Sequence, residues 1–209
     1  AIDNTTLCSA TMTGSATVNI NPLPVVRMVT GGGTYCSGGT GVAIGLDGST
    51  AGTSYQLLSG ITPSGAAVSG TGVPISFGLR TGAGSYTARA TITATGCTTL
   101  MTGSAAVAIN PLPIATSVTG TGSYCAGGTG RNVGLAGSVP GISYQLYRDS
   151  VLTGSSMAGT GAVIDFGPQT LAGTYTVVVT NTTTACNAGM TGNAIVTIDP
   201  LPTAYAVTG

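Results

Sequence analysis

Lysine, glutamate, histidine and tryptophan are all missing from this chain of 209 residues. Its charged complement is five arginines and five aspartates, 5% of the sequence at zero formal net charge, where an ordinary soluble domain carries about 25%. Without histidine, glutamate or lysine, acid–base chemistry would fall to aspartate, tyrosine or cysteine. An enzyme is therefore not expected, and no catalytic residue is assigned. Zero net charge leaves no electrostatic footprint for nucleic acid or an anionic membrane surface. No apolar run approaches the ~18 residues of a membrane-crossing helix, so membrane insertion is not expected either. No basic-then-apolar leader opens the sequence, which places any secretion signal outside these residues. The solvated surface must be built from Thr, Ser, Gly and Asn. Such a neutral surface lacks the self-repulsion that keeps proteins apart.

What is present is a repeat. "INPLP" at 20–24 returns at 109–113 and again as "IDPLP" at 198–202. Residues 25–113 overlay 114–202 without a gap, and 44 of the 89 positions are identical. Tyr35-Cys36 meets Tyr124-Cys125, "SYQL" at 54–57 meets 143–146, and Met101-Thr102-Gly103 meets Met190-Thr191-Gly192. Residues 1–24 match the end of the same unit, and 203–209 match its beginning, with "VTG" at 207–209. The expected organisation is thus the C-terminal strands of a preceding repeat (1–24), repeat 1 (25–113), repeat 2 (114–202) and the start of a further repeat (203–209). A period near 90 exceeds that of solenoid and propeller repeats and suits a small β-sandwich. The chain reads as a window on a longer array, with strand lending by 1–24 to a neighbouring subunit as the other explanation of its first segment.

Within a unit the hydrophobic period is two. Tyr86, Ala88, Ala90 and Ile92 alternate with Thr87, Arg89, Thr91 and Thr93, the pattern of a half-buried strand. Tyr175, Val177 and Val179 repeat it, and Ala105, Val107, Ile109 and Ala194, Val196, Ile198 form a second inward row. Shorter strands fit 42–46, 54–58 and 73–77. No helical stripe competes, so the fold class is all-β: tandem sandwich domains in a linear array. The prolines Pro22, Pro24, Pro111, Pro113, Pro200 and Pro202 lack an amide to donate to a ladder. They end the last strand of each unit and hold the connector extended.

The cysteines fall into register as well. Cys36 and Cys97 recur as Cys125 and Cys186, each pair 61 residues apart. Disulfides Cys36–Cys97 and Cys125–Cys186 are expected, with Cys8 pairing outside these residues. Closing such a loop stabilises by about 4 kcal/mol on loop entropy, and disulfides imply an extracellular or cell-surface setting. A metal site is the rival reading, but it lacks a CxxC and any histidine. The aspartates argue against calcium as well, because Asp47, Asp149, Asp165 and Asp199 align with Ala136, Gly60, Ser76 and Asn110, whereas calcium needs convergent oxygens. No metal or cofactor is expected. The runs at 31–41 and 120–130 read as glycine-rich turns leading into a strand, since a phosphate loop needs a following helix and usually a lysine.

"AGSYT" at 83–87 and "AGTYT" at 172–176, each followed ten residues on by Cys97 or Cys186, resemble the penultimate strand of bacterial immunoglobulin-like domains. With "YCAGGTG" at 124–130, "SYQLY" at 143–147 and the closing "PLP", the whole unit is similar to the Ig-like tandem repeats of giant secreted surface proteins and adhesins of Bacteroidota. The resemblance implies a structural tyrosine corner at Tyr86 and Tyr175. It also implies service as a cell-surface filament or stalk that associates with its own kind, or as an adhesin binding a glycan or cell-surface partner. The candidate partner-binding loop is Tyr147, Arg148 and Asp149, where aromatic and charged groups cluster in the most divergent stretch. Candidate glycosylation positions are Ser150 in Asp-Ser-Val, and Asn4 and Asn181 in Asn-Thr-Thr.

Overall fold

Residues 1–206 are described by the structure, a computed structural model, and they form strands and turns only. No helix among them is long and apolar enough to cross a membrane. Repeat 1 runs β1 (Val29–Gly31), β2 (Gly33–Cys36), β3 (Val42–Leu46), β4 (Thr53–Ser59), β5 (Thr62–Pro63), β6 (Val68–Ser69), β7 (Ile75–Arg80), β8 (Gly84–Ile92), β9 (Thr98–Leu100) and β10 (Ala105–Asn110). One sheet is ordered β1-β3-β7. The other is ordered β2-β10-β8-β4-β5, with β6 on β4 and β9 on β8. Repeat 2 runs β11 (Val118–Thr119), β12 (Gly122–Cys125), β13 (Arg131–Leu135), β14 (Ile142–Arg148), β15 (Val151–Ala158), β16 (Ile164–Gln169), β17 (Gly173–Asn181), β18 (Asn187–Gly189) and β19 (Ala194–Asp199). Its sheets are β11-β13-β16 and β12-β19-β17-β14-β15, with β18 on β17. The chain is therefore a tandem of Ig-like sandwiches.

The first strand of each repeat is split between the two sheets. β1 pairs antiparallel with β3, while β2 pairs parallel with β10, Cys36 standing opposite Asn110. Repeat 2 does the same, with Cys125 opposite Asp199. The crossing between sheets demands glycine. Gly31 and Gly120 have φ of +89° and +110°, and a Cβ would run into the carbonyl oxygen of Ala43 or of Asn132.

The core of repeat 2 joins Val133, Leu135 and Ile164 of the small sheet to Tyr144, Leu146, Tyr175, Val177, Val179 and Val196 of the large one. Period two in β17 and β19 puts these side chains on one face. The inward row does not run to its end, however. Ile109 and Ile198 are 42% and 40% exposed, a correction to the expected pattern. β17 starts at Gly173 opposite Val196, so Ile198 lies beyond that start and has only β12 beside it.

"SYQL" has a role that periodicity does not reveal. Tyr55 and Tyr144 are fully buried, and each hydroxyl accepts the amide of a loop residue, Thr50 or Val139, at 2.9 Å. Ser49 and Ser138 are buried beside them. Ser138 Oγ donates to Ala162 O at 2.6 Å and accepts from Thr160 N at 3.1 Å. Hydroxyls thus satisfy the loop backbone where this chain has few charged groups to offer.

By internal contacts the chain divides into one unit of residues 1–31, 43–78 and 85–105, and a second of residues 32–42, 79–84 and 106–209. The division differs from the repeat borders, because segments 32–42 and 79–84 of repeat 1 belong to the second unit. Residues 10–24 form no strand, and Val18 and Ile20 are exposed, although their counterparts at 107 and 109 lie in β10. A strand needs ladder partners, and residues 11–23 are exposed throughout. The expected "VTG" copy at 207–209 lies outside the described residues.

Gly120→Ala is expected to destabilise by about 1–3 kcal/mol, because both its φ and its space exclude a side chain. Gly137→Ala, where nothing lies within 4 Å of an added Cβ, should be close to neutral. Thermal melts of the two variants compare them directly. Tyr144→Phe leaves the Val139 amide unsatisfied and should cost about 1–3 kcal/mol by chemical denaturation.

Candidate functional site

The two cysteines of a repeat lie at opposite ends of the same sandwich. Cys125 closes β12 against the last residue of β19, past the position where β17 begins. Cys186 faces the other end of β17, its carbonyl accepting from Asn181 N at 2.8 Å. β17 is nine residues long, and at ~3.3 Å per residue the two cysteines are separated by roughly 30 Å. A disulfide needs Cα atoms within about 7 Å. Repeat 1 has the same layout, with Cys36 opposite Asn110 and Cys97 O accepting from Ile92 N at 2.9 Å.

The expected pairs Cys36–Cys97 and Cys125–Cys186 are therefore corrected. The bond present is Cys36–Cys186, with Cα atoms 5.5 Å apart and 150 residues between them in sequence. Both halves lie in the second compact unit, to which segment 32–42 belongs. Cys97 and Cys125 are free, as is Cys8. The error has a clear physical source. The glycine-rich run conceals β2, and the parallel pairing of β2 with β10 carries Cys36 to the opposite pole from Cys97. Only the register of that pairing could have revealed it.

Two kinds of cysteine seat recur. The first, at Cys36 and Cys125, ends a strand and enters a tight turn. Gly39 N and Gly128 N donate to the two cysteine carbonyls at 2.9 Å, and Ser37 N and Ala126 N donate to Asn110 O and Asp199 O at 2.8 Å. Nearby, Tyr124 Oη donates to Thr170 O at 2.6 Å, and Tyr35 Oη donates to Thr81 O. The second seat is a turn closed by a residue of positive φ just before the cysteine: Leu7, Gly96 and Ala185, at +58°, +73° and +58°. Asp3 N, Ile92 N and Asn181 N donate to the carbonyls of Cys8, Cys97 and Cys186 at 2.8–2.9 Å. The Asn181 side-chain oxygen also accepts from Thr183 N and Thr184 N at 2.9 and 3.0 Å, so this glycosylation candidate is part of the turn. Asn4 and Ser150 are exposed.

Tyr175 Oη donates to Leu171 O at 2.7 Å. Burial raises its pKa above the usual 10.0, and the nearby Arg148 guanidinium partly opposes the rise. Tyr86 occupies the equivalent place in repeat 1 and is buried. Pro111 and Pro200 follow the last residues of β10 and β19, and Pro113, Pro202, Pro22 and Pro24 lie outside any strand.

Tyr147 and Arg148 end β14, and Asp149-Ser150 form a two-residue hairpin tip with φ of +48° and +69°. Positive φ at both positions is what a type I′ hairpin requires. Asp149 makes it tolerable by bonding Thr174 twice, its amide to Thr174 O and its Oδ1 from Thr174 N, each at 2.9 Å. Beside this hairpin lies an open depression of about 370 Å³, lined among others by Arg148, Leu152, Gln169 and Tyr175. Among the described residues no three His, Cys, Asp or Glu side chains gather in a way that could hold a metal ion.

Proteolysis of the unreduced protein should release Cys36 joined to Cys186, and recovery of Cys36 joined to Cys97 would sink this connectivity. The double variant Cys36→Ser/Cys186→Ser should lose roughly 2–5 kcal/mol of stability, measured by denaturation with and without reductant. For Tyr175, the stability conferred by its raised pKa is complete below pH about 10 and lost as pH rises through the raised value. Tyr175→Phe should therefore flatten the alkaline limb of a stability–pH profile.

No protein family matches the chain, and no curated protein does. Solved structures do resemble it. The human OSCAR ligand-binding domain is 14% identical, with 83% of this chain and all of that chain covered at a TM-score of 0.36. The fibronectin(III)-like modules of Clostridium thermocellum CbhA are 11% identical, covering 87% of this chain and all of theirs at 0.42. The four N-terminal Ig domains of Dscam1 isoform 4.44 are 13% identical, with 84% of this chain and 54% of that chain covered at 0.27.

Proposed function

We propose that this chain is a structural, non-enzymatic extracellular repeat protein whose Ig-like units build a cell-surface filament or stalk. The observation that carries the reading is the Cys36–Cys186 bond, which ties a cysteine of one repeat to a cysteine of the next. A bond within each repeat would stabilise isolated domains. A bond from one repeat to its successor resists their separation, which is a mechanical property. It also requires an oxidising setting, outside the cell or on its surface. The gapless period of 89 residues and the proline connectors suit a regular array. A neutral surface of Thr, Ser and Gly suits lateral packing of such arrays. The sequence resemblance to giant secreted proteins of Bacteroidota points to the same setting.

A second reading is adhesion through the β14–β15 hairpin. It is favoured by the depression beside Arg148 and by the divergence of this hairpin from its counterpart in repeat 1. A glycan would find there a guanidinium from Arg148 and amide and hydroxyl groups from Gln169, Thr153 and Thr170.

Electron cryo-microscopy of the native assembly tests the first reading. Ordered filaments with regular contacts between copies are the expected result, and separate flexible strings would overturn it. For the second reading, Tyr147→Ala and Arg148→Ala should abolish retention on a glycan array; unchanged retention, or none by the parent chain, removes it.

A further inference from the structure

Arg148 stands on the inward row of its sheet, where charged side chains are rare. In register it lies between Val151 of β15 and Tyr175 of β17, and Tyr175 is buried. Residues directly opposite on neighbouring strands share a face, so this arginine belongs to the face between the two sheets, at one end of the sandwich. No carboxylate accompanies it there. Asp149, next in the chain, turns to β17, where its Oδ1 accepts from Thr174 N at 2.9 Å, and Arg148 forms no ion pair among the described residues. In repeat 1 Ser59 takes this position, and Arg80, its Nε buried, takes that of Gln169. A guanidinium on the hairpin side is thus particular to repeat 2.

The depression beside Arg148 continues past Gln169. A second recess of about 120 Å³, lined by Leu146, Met157 and Phe166, shares Thr153, Gly154 and Gln169 with the first. Together they form one trough along the flank between β15 and β16, the edge strands of the two sheets. A β-bulge shapes it, since four steps from Thr153 to Met157 oppose two from Leu146 to Tyr144. Gln145 braces the bulge, its Nε2 donating to Thr153 O and Gly154 O at 3.1 and 3.2 Å.

We propose that this trough binds an acidic N-acylated sugar, with the carboxylate on Arg148 and the acyl methyl between Met157 and Phe166. This rests on the adhesion reading and names its glycan class. A guanidinium forks onto a carboxylate through two parallel N–H bonds, a match that a neutral hydroxyl does not offer. Between the charged and apolar ends, Gln169 and the threonines Thr153 and Thr170 make a polar waist. That waist suits sugar hydroxyls and disfavours a fatty acid. The bulge breaks the regular edge that an added peptide strand would need.

The test is calorimetric titration of the full chain with sialyllactose, its methyl ester, lactose and a glucuronic-acid disaccharide. Sialyllactose should bind tightest, with the glucuronide about tenfold weaker for want of the acyl methyl. The ester and lactose should be weaker still. Arg148→Gln should weaken sialyllactose by about tenfold or more, and Met157→Ser should narrow its lead over the glucuronide. The ester requires no variant, so the need for charge is read on the unaltered, folded chain. Ester or lactose binding as tightly as the acid would overturn the proposal and leave the adhesion reading standing. Undiminished binding by Arg148→Gln places the sugar elsewhere and also overturns it. N-acetylglycine competing as strongly as sialyllactose does the same, because any small N-acylated acid would then serve. Binding of none of the four overturns the proposal, and a blank glycan array removes the adhesion reading with it.

Discussion

Two cysteines at opposite ends of a nine-residue strand cannot meet, and that distance governs how this chain is held together. β17 separates Cys125 from Cys186 as β8 separates Cys36 from Cys97. Each cysteine must therefore find its partner in a different repeat or remain free. The bond that results closes a loop of 150 residues, far longer than the 61 between the cysteines of one repeat. Loop-closure entropy grows only slowly with length, so its stabilising effect is similar, about 5 kcal/mol against about 4. What changes is which parts are prevented from separating.

A second constraint is the shortage of charge. Loops in most domains are pinned partly by ion pairs and charge-assisted bonds. Here the task passes to hydroxyls that reach backbone groups: Tyr144 to Val139, Ser138 to Ala162 and Thr160, Tyr124 to Thr170, and Tyr175 to Leu171. Such bonds are net modest when made and costly when left open, which makes them effective at specifying one loop conformation. They also carry no formal charge at neutral pH, so the surface above them stays neutral.

The hairpin at Asp149 shows how one feature supports two interpretations. Its clustering of Tyr147, Arg148 and Asp149 suggested a binding loop, and the depression nearby keeps that use open. The same aspartate is also the device that stabilises a positive-φ tip against Thr174. Asn181 is similar: the asparagine of a candidate glycosylation signal also braces the cysteine-bearing turn, accepting from Thr183 N and Thr184 N.

Sequence alone determined the parts whose cause is local. Period-two burial identified β8, β17 and the inner halves of β10 and β19. Proline placed the ends of the last strands, and register between repeats sorted the cysteines into two types. These follow from pleat geometry and from the missing proline amide. Tertiary structure alone decided the rest. Glycine carries no side-chain pattern, so β2 and β12 were invisible until their parallel pairing with β10 and β19 was seen. That pairing, fixed by backbone hydrogen bonds between segments some seventy residues apart, sets which pole each cysteine occupies. Spacing along the chain could name the cysteines that correspond. Only the register between distant strands could show which of them come within bonding distance.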